Sequence, residues 1–198
     1  MIKKQEIESY LNAGFVGLSK IYPLTPEAIE ALRAIAKPVI LKKGDKIVQI
    51  GDVLTGIYFM VQGLGRSYMY RGKSEITSWI IQEGEPFGNY RSYTSGVPSR
   101  ECTEILEPGL AFYLPKAELI EIYLQHPSVA AFIIILNERN FVKMDDHTYN
   151  ILYNTNEMRY EIFLQQYPSL INRMKIKDIA SYLNMSPETL SRVRTAQK

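Results

Sequence analysis

The sequence predicts an α+β fold in which an antiparallel β-roll is followed by a long helix and then by a small helix-turn-helix domain. Three observations predict it. Short segments rich in β-branched and aromatic residues recur between glycine turns over residues 39–114. A helical pattern of roughly 25 residues then begins at Pro127. Finally, residues 176–194 read as two short helices joined by a tight turn.

Two helices are expected before the roll. The second of them begins at Thr25, because a hydroxyl cap followed by Pro26 and Glu27 is a typical helix start. Its apolar residues recur at helical spacing and therefore form one side, which comprises Ala28, Ile29, Leu32 and Ile35.

The roll is predicted as a series of short strands separated by turns. Five strands are expected near residues 39–41, 46–49, 56–61, 65–70 and 76–81, and two more near 100–106 and 110–114. A loop or short helix covers residues 89–96. Each intervening turn contains a glycine, which tolerates the positive φ that tight turns often require: Gly44, Gly51, Gly63, Gly72 and Gly84.

The long helix has an unusual start, because residues 129–136 are apolar on every side. A helix of this kind needs neighbours on more than one side. Packing between the roll and a second copy of the chain would supply them, and so would burial by the roll and the helix-turn-helix domain alone. We favour the first arrangement, which predicts a homodimer.

The terminal segment has the layout of a helix-turn-helix, whose second helix enters the major groove of DNA. Asn184 stands at the turn, where a residue that tolerates positive φ is needed. Ser186 followed by Pro187 is a strong helix start. Each helix has one apolar face, and these faces contain Ile179, Leu183, Leu190 and Val193.

The charge distribution favours DNA as the partner of this segment. Residues 171–198 contain six basic and two acidic side chains, whereas the whole chain has a net charge of only +2. A basic end on a slightly acidic body suits contact with phosphates. We therefore expect three parts: residues 1–126 for the N-terminal helices and the roll, 127–153 for the dimerisation helix, and 154–198 for the DNA-binding domain.

The overall composition excludes several other classes of protein. Hydrophobic residues make up 46% of the 198 positions and charged residues 22%, which are ordinary globular values. The single cysteine, Cys102, excludes an internal disulfide and a four-cysteine iron–sulfur site within one chain. The polar start is not typical of a signal peptide, and the longest apolar run is too short to span a bilayer. We expect a cytoplasmic protein without a membrane partner.

Several short motifs stand in a fixed order along the chain. In the roll they are Lys42-Lys43-Gly44-Asp45, Gly51-Asp52, Tyr58-Phe59-Met60-Val61-Gln62-Gly63, Gly72-Lys73, Gly84-Glu85-Pro86-Phe87-Gly88 and Leu114-Pro115. At the end they are Ile179-Ala180-Ser181-Tyr182-Leu183 and Ser186-Pro187-Glu188-Thr189-Leu190-Ser191-Arg192. Together they resemble the Crp/Fnr family of bacterial transcription regulators, which has a cyclic-nucleotide-binding roll, in the shorter variety typical of Bacteroidetes. The resemblance covers nearly the whole chain.

The resemblance implies a homodimer that binds a two-fold-related DNA site and regulates transcription without a cofactor, and it leaves RNA polymerase open as a further partner. Arg192 is the expected reader of guanine, and Glu188 could accept a hydrogen bond from cytosine or orient Arg192. Pro187 replaces an arginine of many members, so the base preference can differ. The expected DNA-binding residues are Lys177, Ser186, Pro187, Glu188, Thr189, Ser191 and Arg192, with Lys177 and Thr189 near phosphates.

Two features depart from the family pattern. The sequence stops soon after the reading helix, so a C-terminal β-hairpin wing is expected to be absent. In the roll, Asn89 stands where cyclic-nucleotide binders have a glutamate for the ribose hydroxyl. The slots for the arginine that binds the phosphate and for its hydroxyl neighbour contain Ser99 and Arg100, so the arginine is shifted by one position. In a strand, such a shift turns a side chain to the other face.

The expected ligand pocket therefore offers few complements to a cyclic nucleotide. We expect that cyclic AMP is not the effector, and the effector is left unidentified. Arg91 or Arg100 could hold some other anion. The candidate pocket residues are Phe87, Gly88, Asn89, Tyr90, Arg91, Ser99 and Arg100 in the roll, with Met144 and Asp145 where the family's long helix offers hydroxyls to the purine.

Two other classes of function compete with this reading. One is a small-molecule sensor or regulatory protein whose helix-turn-helix does not read DNA. The other is a cupin-type enzyme, whose metal site needs clustered histidines and a carboxylate. His126 and His147 both lie outside the roll, and no nucleophile–base set stands out. We therefore expect neither a metal nor an enzyme, and we interpret His147 as an interface or solvent residue.

Overall fold

The computed structural model describes residues 4–19 and 21–196 and has the α+β architecture that the sequence predicts. Two helices come first, α1 (Lys4–Ser19) and α2 (Pro26–Ile35). Thr25 caps α2 as expected, because its Oγ1 accepts a hydrogen bond from the Ala28 N–H at 3.2 Å.

Within the described residues the strands form a six-stranded antiparallel sheet with the order β1-β6-β3-β4, in which β2 also pairs with β6 and β5 with β3. The register of β1 on β6 runs from Lys37 opposite Tyr113 to Leu41 opposite Gly109. In this strand order, β4 stands at one end of the sheet, next to β3. The strands are β1 (Lys37–Leu41), β2 (Lys46–Val48), β3 (Gly56–Arg71), β4 (Ser74–Ile81), β5 (Pro86–Phe87) and β6 (Cys102–Pro115).

Two of the predicted breaks between strands are wrong. Strand β3 runs without interruption through Gly63, and β6 runs through Gly109, although a turn was expected at each place. Gly63 has a φ of 115°, and a Cβ there would lie 3.0 Å from the Glu107 carbonyl oxygen. A Cβ on Gly109 would overlap the Gln62 carbonyl group. The glycines therefore allow two long strands to bend closely against each other rather than to end.

Helices follow the sheet and interrupt it once. The long helix ends at Tyr153, the last residue of the range expected for it, and Thr155 caps the next helix by accepting from the Met158 N–H at 3.3 Å. The short helix α7 was not predicted. The helices are α3 (Tyr90–Ser95), α4 (Lys116–Gln125), α5 (Pro127–Tyr153), α6 (Asn156–Gln166), α7 (Leu170–Arg173), α8 (Ile176–Tyr182) and α9 (Pro187–Ala196).

The chain divides into two compact units, and neither is continuous in sequence. Unit 1 contains the described residues up to Ser67 together with Ile80–Glu138, and unit 2 contains Tyr68–Trp79 together with the described residues from Arg139 onward. The β3–β4 hairpin thus belongs to the same unit as the helix-turn-helix. The boundaries predicted after residues 126 and 153 stay predictions.

The core of unit 1 accounts for the apolar start of α5. Phe112 stacks between Phe15 and Phe59, with ring centroids 5.0 and 5.2 Å apart. Val129 and Phe132 of α5 are buried in the same cluster, as is Leu136. The chain itself buries these three of the eight residues 129–136, whereas Ile134 is exposed and the other four are half-buried. The expectation that a second copy covers part of these turns stays a prediction.

No single helix among the described residues is long and apolar enough to cross a membrane. The consecutive helices α4 and α5 pass that test only as a pair, with a bend of 118° between them.

Candidate nucleic-acid interface and roll site

The helix-turn-helix consists of α8, a four-residue turn and α9, all in unit 2. Asn184 has a φ of 52°, the left-handed conformation expected at the turn. The Asn184 N–H donates to the Ser181 carbonyl at 3.1 Å, and the Met185 N–H donates to the Ala180 carbonyl at 2.9 Å. These bonds satisfy carbonyls at the end of α8, so the chain reverses without leaving the helix end unpaired.

The start of α9 is fixed by Ser186. Its Oγ accepts a hydrogen bond from the Thr189 N–H at 3.1 Å, as the sequence predicts for a cap. A hydrogen bond from the Ser186 hydroxyl, followed by one from its own backbone N–H, lowers the pKa of the exposed Glu188 carboxyl. A carboxylate at this place is also favoured by the positive end of the helix dipole.

One side of α9 is buried and the other is free. Leu190 and Val193 are buried, whereas Glu188, Ser191 and Arg192 are exposed, which agrees with the predicted reading side. Ser186 and Pro187 at the start are also exposed, and Thr189 is half-buried.

A short chain of hydrogen bonds orients Arg192. Its Nη2 donates to Thr189 Oγ1 at 3.4 Å, and Thr189 Oγ1 lies 3.2 Å from Ser186 Oγ. Thr189 therefore holds the guanidinium, a role that the sequence interpretation offered to Glu188. Lys175 and Lys177 at the start of α8 are exposed, so both are available to phosphates.

Arg159 on α6 joins three backbone segments of unit 2. Its Nη2 donates to the Ile151 carbonyl at 2.6 Å, its Nε to the Asn154 carbonyl at 3.0 Å and its Nη1 to the Leu183 carbonyl at 3.3 Å. One guanidinium thus connects the end of α5, the start of α6 and the turn of the helix-turn-helix. Nothing in the sequence pattern singled out this residue.

In the roll, three of the predicted pocket residues are buried near one another: Phe87, Asn89 and Ser99. Phe87 stacks on Tyr58 with ring centroids 5.1 Å apart. Asn89 caps α3, since its Oδ1 accepts from the Ser92 N–H at 2.8 Å. Ser99 is 2% exposed, and its Oγ donates to the Glu101 carbonyl at 2.8 Å and accepts from the Glu101 N–H at 3.1 Å.

Glu101 is a residue of this site that the sequence reading missed. Its carboxylate accepts from Asn89 Nδ2 at 3.0 Å, so both ends of the Asn89 amide are engaged. The signal was present in the sequence, because Ser99 and Glu101 are two residues apart and such neighbours share a face of an extended chain. The site therefore presents a carboxylate where an anionic ligand would need a cation.

The remaining pocket candidates lie elsewhere. Tyr90, Arg91 and Arg100 are exposed, and so are Met144 and Asp145 on α5. The backbone at Gly88 has a φ of 127°, and a Cβ there would lie 2.8 Å from Leu54 Cδ2, so the tight turn after Phe87 needs glycine.

Possible metal ligands lie apart from one another in the part of the chain that the structure describes. No three histidine, cysteine, aspartate or glutamate side chains within it come together as metal ligands. His147 stacks on Tyr182 with ring centroids 4.2 Å apart, so it packs inside unit 2 rather than facing solvent as one interpretation expected.

Comparison with known proteins identifies the fold. No family model and no curated protein matches the chain. FixK2 from Bradyrhizobium japonicum matches with a TM-score of 0.71 and 19% identity, over 82% of this chain and 84% of that chain. The catabolite activator protein of Thermus thermophilus matches with a TM-score of 0.58 and 20% identity, over 91% of this chain and 85% of that chain. The c-di-GMP-responsive global regulator CLP of Xanthomonas campestris matches with a TM-score of 0.69 and 12% identity, over 87% of this chain and 91% of that chain. The chain thus has the fold of the Crp/Fnr-type regulators, as the resemblance implied.

Proposed function

We propose that this protein is a cytoplasmic DNA-binding transcription regulator of the Crp/Fnr family, which binds a two-fold-related site as a homodimer and is not an enzyme. One observation carries the proposal. Helix α9 buries Leu190 and Val193 in a helix-turn-helix and leaves Ser191 and Arg192 exposed. That is the presentation a major-groove reading helix requires.

The exposed side chains have separable roles in this proposal. Arg192, held by Thr189, reads a guanine through its O6 and N7 acceptors. Lys177 contributes a phosphate contact that does not depend on sequence. Glu188 stays ionised because its pKa is lowered, so it accepts a hydrogen bond from a cytosine amino group. Contact with RNA polymerase stays a prediction.

The dimer is supported by the later part of α5. Ile134, Phe141 and Leu152 are 58%, 69% and 68% exposed. Their spacings of seven and eleven residues are close to two and three turns, so the three side chains lie on one stripe of the helix. A second copy of α5 packed along this stripe would bury all three, as in a coiled-coil pair. The proposed dimer surface thus begins at Ile134, within the segment that the sequence suggested, and continues toward the end of the helix.

The experiment is selection of binding sites from random duplex DNA, followed by shift assays at two salt concentrations. We expect a two-fold-related site and an affinity that falls as salt rises. Arg192→Ala should weaken binding to the selected site by about 1–3 kcal/mol and relax the preference at one base pair in each half-site.

Arg100→Ala is the matched control, because it removes one exposed arginine from the roll and leaves the reading helix unchanged. Its affinity and base preference should equal those of the wild type. A wild-type protein that selects no site, and binds no duplex even at low salt, would favour the competing function of a sensor that does not read DNA.

A further inference from the structure

Strand β4 has an edge that the sheet does not use, and helix α8 covers it. Because β4 ends the strand order, it pairs with β3 on one side only. On the other side, the Thr77 N–H donates to the Ser181 hydroxyl at 2.6 Å. The same hydroxyl donates to the Glu75 carbonyl at 3.3 Å. Ser181 therefore satisfies two backbone groups of β4 at once, as a neighbouring strand would.

Both partners of this contact belong to unit 2, where Thr77 is buried and Ser181 is half-buried. Thr77 is 3% exposed, so water cannot readily replace Ser181 as the partner of its amide. Successive residues of a helix are about 100° apart, so the buried residues of α8 and its cap cover about 200° of the circumference. Those residues are Asp178, Ile179, Ala180, Tyr182 and Leu183.

An arc of that width is larger than the stripe that a helix buries against a single neighbour. Helix α9 packs on one part of it, through residues such as Leu190. His147 of α5 and Phe163 of α6 pack on another part of it through Tyr182. Ser181 lies about 60° beyond this arc, where it contacts the β3–β4 hairpin.

We infer that Ser181 is a positioning residue for DNA reading, because its hydroxyl fastens the first helix of the helix-turn-helix to the edge of β4 and so fixes the orientation of α9. The role in reading rests on the proposed function, whereas the fastening does not. The residue contacts no DNA in this scheme and acts through the hairpin.

The first test needs no DNA. In Ser181→Ala, amide exchange at Thr77 should become about three- to tenfold faster, the range expected for one lost hydrogen bond. Nitroxide labels at Lys73→Cys on the hairpin and Ser191→Cys on α9 report the same contact, since both sites are exposed and Cys102 is buried. Their distance distribution should broaden in Ser181→Ala.

Two further variants serve as controls. Ser181→Thr retains a hydroxyl at the same place and should restore both the exchange rate and the narrow distribution. Ser74→Ala removes an exposed hydroxyl from the same hairpin and should behave as the wild type. Unchanged exchange at Thr77 in Ser181→Ala, or an unchanged distance distribution, would overturn the inference.

The second test measures DNA binding. Ser181→Ala should bind a selected site about three- to tenfold more weakly, while its affinity for random duplex at low salt stays the same, because the basic side chains are retained. Equal loss on both DNAs, or no loss on the selected site, would contradict a positioning role. If the wild type selects no site while Thr77 responds as expected, the proposed function fails and the fastening of α8 to β4 stands.

Discussion

The packing of His147 against Tyr182 affects the pKa of its imidazole. Its ring lies nearly parallel to that of Tyr182, at an interplanar angle of 15°. Burial lowers the pKa of His147 below its ordinary value, so the folded protein favours the neutral imidazole. The unfolded chain takes up a proton below about pH 6.5, where the folded chain resists it. The contribution of this stack to stability is therefore complete above that pH and is lost as the pH falls below it.

The corresponding prediction concerns thermal unfolding at pH 7 and pH 5. His147→Phe keeps an aromatic ring but cannot be protonated, so its melting temperature should fall less over this interval than that of the wild type. His126→Gln, in a histidine outside the stack, serves as the control and should retain the wild-type pH dependence. If His147→Phe loses as much stability as the wild type, the titration of His147 is not the cause.

Glu101 leads to a prediction about ligands. The Asn89 amide is already engaged by Glu101 and Ser92, and the exposed Arg91 and Arg100 lie outside this hydrogen-bonded group. A cyclic phosphate placed here would lack a cationic partner and would lie near the Glu101 carboxylate. Burial of an anion in this way costs several kcal/mol of binding free energy. Each 1.4 kcal/mol corresponds to about a tenfold loss of affinity.

Calorimetric titration with cyclic AMP and cyclic GMP should therefore give a dissociation constant of about millimolar or no measurable heat. Arg100→Ala should change nothing in that titration. A dissociation constant in the low micromolar range for either nucleotide would show that the site rearranges around the ligand.

Among the elements, the sequence located the strands and helices well, and it failed where long-range contacts decide the outcome. Gly63 and Gly109 are positions where a side chain would not fit. A glycine in the sequence, however, shows only that the backbone can bend there, and not whether the strand ends or continues. Only the pairing of β3 with β6 shows that both strands continue through their glycines. The start of α9 was predictable because Ser186 and Pro187 act within one helical turn. The contact of Ser181 with β4 joins residues 104 positions apart, and no local pattern encodes it.

Arg159 is the connection between elements that we expect to matter most for unit 2. A lysine at this position keeps the charge but cannot reach three carbonyls in different directions. Because hydrogen bonds from charged donors contribute about 1.5–3 kcal/mol, Arg159→Lys should lower the free energy of unfolding by at least about 1.5 kcal/mol in a denaturant titration.

Arg139→Lys is the matched control, since Arg139 is exposed on α5 and the same substitution there should cost little. Equal stabilities for the two variants would mean that the three carbonyls find other donors when Arg159 is replaced.

At the scale of the whole molecule, the stripe on α5 predicts the oligomeric state. Phe141→Glu would place an unpaired carboxylate in the interface between two copies, so we expect a monomer in light scattering at micromolar concentration, where the wild type is a dimer. Phe132, at the apolar start of the helix, does not suit this test, because it belongs to the core of unit 1 and its substitution would unfold that unit instead.

Asp146→Asn provides the comparison, because Asp146 is exposed about 140° around the helix from Phe141. It should remain a dimer. A wild-type monomer at tens of micromolar would contradict the proposed dimer, whereas a dimeric Phe141→Glu variant would place the contact between copies on another surface.

The division of unit 2 between Tyr68–Trp79 and the described residues from Arg139 onward has a consequence for the order in which the protein is made. A ribosome completes the hairpin long before it reaches Ser181, so the contact between β4 and the Ser181 hydroxyl cannot form until residues 80–180 have been added. Helix α8 packs on α5 and α6 through Tyr182, but its contact with the hairpin requires a roll that has already been synthesised. A gene fragment that begins at residue 139 would encode the helix-turn-helix without the strand that contacts α8, and we expect this segment not to be transferable as an independent domain.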